Sequence, residues 1–488
     1  MSNNFTNSQQ NAFEKMILGM NVFLTGKAGT GKSYLTQKFA EWCKKEKKDL
    51  VIAAPTGKAA MNVGGSTLHR VFGMDIDVKT HNPSVVSSVV NNADIILIDE
   101  ISMCRLDVFD YIMKTVQIAN ARRLENAADK EESGNEDPKI KTNPIQMILV
   151  GDFFQLPPVL IKEEKIILDD YYQKDIGKAY AFQSELWHKF NFKVCKLTEV
   201  VRQKDIEFIK ALNQAQIGDK ECLEYFNTKA QSMPIKKAPW VVDTNKKVSE
   251  KNLAELNKIK KTARRYEAVV EGEIKISDYA TDKIIDLKET ARIMMLINDK
   301  DNKYVNGSLG TITKMYDDCV YVELDSGTNI KVTKYTWEVE KYVVVEKENK
   351  KKHVEKRVIG TFTQLPLKLA YAITVHKSQG QTYDAVNFNP NTWDPGQLYV
   401  GLSRVKSIEG LYLTRALKEK DLITSQEVLK FMARPERYRF FKKQGGARAG
   451  SGRKKTLGST TKAIRVPEIY VDEVRAFIEE LKKRDGIE

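Results

Sequence analysis

The chain has 488 residues, 42% of them hydrophobic and 30% charged, so it reads as a soluble, globular protein of two to four domains. No apolar run approaches membrane-spanning length, residues 1–10 lack the pattern of a signal peptide, and five scattered cysteines without a CxxC pair argue against structural zinc or a disulfide framework and suit a reducing cytoplasm. The formal net charge of +14 favours a polyanionic partner, most simply nucleic acid.

In chain order, Gln9 falls on a predicted helix ending near Gly19, where a glutamine can read an adenine edge or simply face solvent. Residues 21–33, NVFLTGKAGTGKS, combine a short buried strand, a glycine-rich loop and the start of an amphipathic helix. That is the context the G-x-x-x-x-G-K-[ST] pattern needs. Gly26, Gly29, Thr30 and Gly31 let backbone N–H groups turn towards a polyphosphate, and the helix start adds a favourable dipole. Lys32 is expected at the β- and γ-phosphates of ATP, and the Ser33 hydroxyl at Mg²⁺.

Residues 50–56, LVIAAPT, read as a second buried strand. Thr56, Thr67 and His69 then fall at strand ends or helix starts, where an open α/β sheet binds ligands, although helix capping explains each of them singly. Residues 73–93 read as irregular and long enough for a protruding loop. Residues 94–103, DIILIDEISM, run a buried strand into Asp99 and Glu100, an acid to hold Mg²⁺ and an acid to polarise the attacking water.

Residues 119–143 are polar and charged and read as a flexible surface insertion. IQMILVGDFFQLPPV restores a buried strand and delivers Gln155, an amide suited to sensing the γ-phosphate. KVCKLTEVVRQ is another strand and delivers Arg202 where the first core domain should end. A second α/β unit begins near residue 238 and includes the apolar run 293–297. From 311 to 363 short alternating segments predict hairpins of a small β-barrel, with KENKKKHVEKR as an exposed tip. LKLAYAITVHKSQGQ then carries Thr374, His376, Lys377 and Gly380, and GQLYVGLSR is a helix carrying Tyr399 and Arg404.

With DFFQLPPV, LTEVVRQ, TVHKSQGQT and LYVGLSR in this order, the chain resembles superfamily 1 helicases of the 5′→3′ branch, and within it the Pif (petite integration frequency) family, over roughly residues 5–429. The resemblance implies two tandem RecA-like P-loop domains, 1–204 and 205–310 with 364–432, and ATP with Mg²⁺ between them. It implies Gln9 at adenine, Lys32, Glu100, Gln155, Arg202 and Arg404 in catalysis with both arginines reaching from across the cleft, Gly380 as a further ATP contact, and Ser33 and Asp99 at the metal. Thr56, Thr67, His69, Thr374, His376 and Lys377 become a single-stranded DNA track, 73–93 a wedge, and 311–363 an SH3-like insertion. The implied activity is 5′→3′ translocation and duplex unwinding at single-strand/double-strand junctions, extending to G-quadruplexes and RNA–DNA hybrids. It would serve replication, recombination, repair or telomere maintenance, in a monomer working with replication or repair proteins at a bacterial or phage nucleoid.

Two other classes are weighed against this. A small-molecule phosphotransferase leaves Arg404 and the second α/β unit unexplained, and a non-motor DNA binder leaves the intact Lys32, Asp99, Glu100, Arg202 and Arg404 unexplained. Beyond the core, residues 434–488 carry fifteen Lys/Arg against eight Asp/Glu. A glycine-rich basic stretch precedes an expected strand at 462–466 and an expected helix after Pro467, which together suggest an auxiliary DNA tether.

Overall fold

The computed structural model describes residues 5–435 apart from 75–81, 84, 134–140, 275, 277–278, 300, 302, 305 and 347–351. The chain divides into Met1–Phe440 and Phe441–Glu488, and all described residues fall in the first unit. The expected terminal strand and helix therefore lie outside them.

The first sheet has six strands: β1 (Val22–Gly26), β2 (Leu50–Ala54), β3 (Ser66–Thr67), β4 (Ile95–Ile98), β5 (Gln146–Gly151) and β6 (Lys193–Leu197). Their order is β3-β2-β4-β5-β1-β6, and every pairing is parallel. A parallel sheet is covered on both faces, so its central strands must be apolar throughout. β1, β4 and β5 are buried at every position. Alternate side chains enter different cores. Phe23 joins Phe109, Phe153, Trp187 and Phe431 on one face, while Val22 and Leu24 join Leu35, Phe39 and Cys43 on the other. This arrangement aims the loops after β1, β4, β5 and β6 at one sheet edge, where α/β folds bind ligands.

A second parallel sheet orders Ala372–Thr374, Trp240–Val242, Val386–Phe388 and Leu411–Leu413. A separate core lies under a five-stranded antiparallel sheet, ordered Asn329–Thr333, Cys319–Leu324, Leu309–Met315, Arg292–Met295 and Leu367–Leu369. The long pair Tyr335–Glu346 and Lys352–Gln364 takes Val269–Gly272 as its third strand. No described helix is long and apolar enough to cross a membrane.

Four expectations change. The flexible insertion at 119–143 is helical up to residue 133, because Leu106–Ser133 forms one helix. Its Ala, Leu, Lys, Arg and Glu content favours helix despite the charge. Arg123, inside that stretch, is buried and donates to the carbonyls of Asn91 at 2.8 Å, Ala93 at 2.7 Å and Asn143 at 2.9 Å. The region 73–93 contains a short helix, Ser88–Asn92, capped by the Ser87 hydroxyl; much of the rest lies outside the described residues. The β-rich region does not begin at 311. Arg292–Met295, assigned above to the second α/β unit, pairs with Leu309–Met315 and Leu367–Leu369, because its alternate side chains are needed in the antiparallel core. Finally, residues 352–357 belong to a strand rather than to a hairpin tip.

Candidate active site at the cleft between two parallel sheets

The loop after β1 turns through two left-handed glycines, Gly29 and Gly31, both at φ +82°. Space is short there as well, against a fixed Cβ at Gly29 and against the end of the Gln9 side chain at Gly31. A Cβ on Gly29 would stand 2.7 Å from the Arg202 Cβ, and one on Gly31 would stand 2.5 Å from Gln9 Nε2. The helix Lys32–Lys45 begins at once and buries Leu35, Thr36, Phe39 and Cys43. Lys32 Nζ donates to the carbonyls of Gly26 at 2.6 Å and Lys27 at 3.1 Å, and desolvation lowers its pKa against the raising effect of Asp152, Glu100 and Asp99. Gln9 is buried beside the loop. Its Nε2 donates to Thr30 O at 3.1 Å, and its Oε1 accepts from Thr6 N at 3.1 Å.

β4 delivers the acidic pair. Asp99 accepts the Glu100 N–H at 2.9 Å. Glu100 sits at φ +51°, a left-handed conformation that costs a non-glycine residue about 1–3 kcal/mol. Desolvation and then the Glu100 charge push Asp99 up to about 7, and desolvation also raises Glu100. Ser33 and Asp99 line one opening, and a hydroxyl with a carboxylate is a hard-oxygen pair that suits Mg²⁺. No cluster of three or more His, Cys, Asp or Glu able to hold a metal occurs among the described residues.

β5 delivers Asp152 and Gln155. Asp152 is buried and accepts from Phe154 N at 3.1 Å, from Gln155 Nε2 at 3.4 Å and from Gln216 Nε2 at 3.3 Å. The segment after β6 returns to the phosphate loop, where Val201 N and Arg202 N both donate to Gly29 O. Arg202 therefore stands on the first sheet's side of the cleft, not across it as expected. Its backbone is held there because β6 pairs with β1, while its Nη1 reaches across to donate to Ser403 O at 3.4 Å. Arg404 alone of the two arginines comes from the second sheet. It is 1% exposed and uses four of its five N–H donors within its own side of the cleft: Nε donates to Val400 O at 2.7 Å, Nη1 to Ser378 O and Gln381 O at 3.1 Å, and Nη2 to Ser403 Oγ at 2.8 Å. Desolvation, then the positive charge of Arg202, pull its pKa down to about 10.

These residues converge. Gly29, Thr30, Gly31, Lys32, Ser33, Glu100, Gln155, Arg202, Gly380 and Arg404 line one cavity of about 170 Å³. Ser33, Asp99, Glu100 and Gly380 also line a wider opening of about 710 Å³ that reaches Lys236 and Lys237.

The other six residues lie at or just beyond carboxyl ends of strands in the two parallel sheets, His69 in the Leu68–Phe72 helix and His376 and Lys377 in the Val375–Ser378 helix. Thr56 follows β2, Thr67 pairs with Ala54 at the end of β3, and Thr374 ends its strand opposite Val242. All three threonines cap helices, accepting from Ala59 N, Arg70 N and Lys377 N. Capping does not exclude contact with a ligand, since all three sit at carboxyl ends of strands. His69 and His376 are partly buried, and desolvation lowers His376. Sequence reasoning gave no role to Gln379, Tyr399, Asp152, Gln203 or Gln216, all buried at the cleft, nor to Trp393, which is 57% exposed just beyond the Val386–Phe388 strand. For Gln379 and Tyr399 the signal was present, since both stand inside motifs already quoted.

The geometry agrees with what the chain is similar to. A family profile described as PIF1-like helicase matches residues 4–222. An ATP-dependent DNA helicase Pif1 from Campylobacter jejuni is 31% identical over 80% of this chain and 88% of its own length. One from Bdellovibrio bacteriovorus is 29% identical over 87% and 90%. The crystal structure of a Pif1 helicase from Bacteroides, in complex with ADP-AlF3 and ssDNA, superposes with a TM-score of 0.66 at 31% identity, over 88% of this chain and 96% of that one. The two parallel sheets thus form the RecA-like helicase fold, and the chain belongs to the PIF1-like helicase family as an ATP-dependent DNA helicase.

Proposed function

We propose that this helicase hydrolyses ATP with Mg²⁺ in the cleft between its two parallel sheets and moves 5′→3′ along single-stranded DNA. The observation carrying this is that Lys32 of the first sheet and Arg404 of the second line one cavity. Lys32 meets the phosphates as a point charge. Ser33 and Asp99 hold Mg²⁺, which neutralises charge on the phosphates when bound. Glu100 orients the attacking water and takes its proton. Gln155 senses the γ-phosphate, Gly380 adds a contact, and Gln9 faces adenine. Arg202 and Arg404 stabilise charge on the transferring group from opposite sides. Such an arginine is worth about 10³–10⁵ in rate.

The DNA follows the carboxyl ends of the two sheets over Thr56, Thr67 and His69, then Thr374, His376 and Lys377. Binding there is sequence-independent, through phosphates, with base stacking on exposed aromatics such as Trp393. Because each half of the track belongs to a different sheet, a change in cleft opening changes the distance between the two grips. The region 73–93 acts as the wedge, and the antiparallel sheets form the SH3-like accessory domain. Junctions, G-quadruplexes and RNA–DNA hybrids are the substrates this reading implies, in replication and repair, with a monomer as the translocating species.

The test is unwinding of duplexes bearing only a 5′ or only a 3′ single-stranded tail. The reading expects strand separation from the 5′ tail alone. Separation from the 3′ tail alone would reject the direction.

A further inference from the structure

The Gln397–Leu402 helix, which precedes Arg404, touches the first sheet's loops at two points. At its start Gly396 adopts φ +77°, and a Cβ there would stand 2.3 Å from Gln155 O and 2.6 Å from Phe154 O. Only glycine permits that approach. Two residues into the helix, the Tyr399 hydroxyl accepts the Ala28 N–H of the phosphate loop at 2.8 Å, across 371 positions of sequence. We propose that Tyr399 is a positioning residue for ATP turnover: its hydroxyl fixes the phosphate loop in register with the helix that leads into Arg404. The inference rests on the reading of the cleft as the ATP site.

Three observations support it. A buried amide needs an acceptor, and Ala28 finds its acceptor in a side chain of the opposite sheet's helix. The helix is rigidly joined to the arginine, since Arg404 Nε donates to Val400 O, one residue beyond Tyr399, while Nη1 ties the same group to Ser378 and Gln381. Moving Arg404 with its helix away from Lys32 therefore breaks the Tyr399–Ala28 bond. Third, Ala28 lines the 170 Å³ cavity and Tyr399 does not, so the phenol supports the loop from behind and does not occupy the phosphate position. Desolvation holds its ionisation far above the ordinary phenol range, so it stays a neutral acceptor at working pH.

The experiment is Tyr399→Phe in the full chain, which keeps the ring in its buried place and removes only the hydroxyl. With single-stranded DNA present, kcat for ATP hydrolysis should fall about tenfold, the rate equivalent of one lost hydrogen bond, while KM for ATP stays within about twofold. Binding of ADP with aluminium fluoride should weaken by about the same tenfold factor, and binding of ADP alone should not change. An undiminished kcat, or equal weakening of ADP and ADP with aluminium fluoride, would overturn the inference, the second outcome by making Tyr399 a general support of the loop. Failure of the underlying reading looks different, because the unmodified chain would then show no DNA-stimulated hydrolysis at all.

Discussion

Gln379 Nε2 donates to Glu100 Oε2 at 2.9 Å across the cleft. The donor follows directly on the short Val375–Ser378 helix that carries His376 and Lys377, so the segment assigned to DNA is one hydrogen bond from the carboxylate assigned to water. Replacing Gln379 with Leu should lower DNA-stimulated ATP turnover about tenfold, while affinity for single-stranded DNA stays within about twofold. Titrating ATPase rate and DNA binding on the same preparation checks the split. Equal loss of both would place Gln379 in folding rather than in coupling.

Glu100→Gln keeps the side chain's size and its position next to Asp99, but an amide cannot take a proton from water. Nucleotide binding should persist and turnover should fall by about 10²–10⁴. Lys32→Ala should instead lose turnover together with affinity for the triphosphate. Fluorescent-nucleotide binding beside steady-state ATPase distinguishes the two.

Arg404→Lys separates charge from geometry. An ammonium retains the charge but cannot serve Val400, Ser378, Gln381 and Ser403 together, because the planar fork is lost. Turnover should fall by about 10³ or more. Thermal melting should also drop, since buried carbonyls lose their donor. A variant with normal ATPase would remove Arg404 from the site.

How much of this was legible follows from chain distance. Lys32 with Ser33, and Asp99 with Glu100, could be assigned because each set is contiguous and its flanking strand shows as an apolar run. Tyr399 with Ala28, and Gln379 with Glu100, are pairs made by docking one sheet against the other, and no local pattern encodes them. Arg202 shows the same limit. Its motif was plain, yet which side of the cleft it stands on depends on β6 pairing with β1. The Leu106–Ser133 helix was misread because charge was taken as a sign of disorder, while Arg123 uses its charge to bind three carbonyls. The antiparallel strands from 264 to 295 were missed because segments such as RRYE and VVEG are short and half polar.

Lys368 supplies a pH test. Desolvation, then the neighbouring charge of Lys377, lower its pKa to about 8, partly offset by Asp282. A lysine so lowered is charged below about pH 8 and neutral above it. If this pair faces the DNA backbone, affinity for single-stranded DNA should weaken between pH 7 and pH 9 as one phosphate partner is lost. Lys368→Arg should flatten that dependence, because a guanidinium stays charged throughout. Fluorescence anisotropy at constant ionic strength measures both. Identical pH profiles would show that Lys368 does not meet the DNA backbone.

The central claim is that a cleft shared by two sheets burns ATP under the control of DNA gripped by both. The most direct measurement is the rate of ATP hydrolysis by the intact chain with and without single-stranded DNA at saturating ATP. The account predicts a low rate alone and a large rise on adding DNA, abolished by Lys32→Ala. Hydrolysis at the same rate with and without DNA would contradict it.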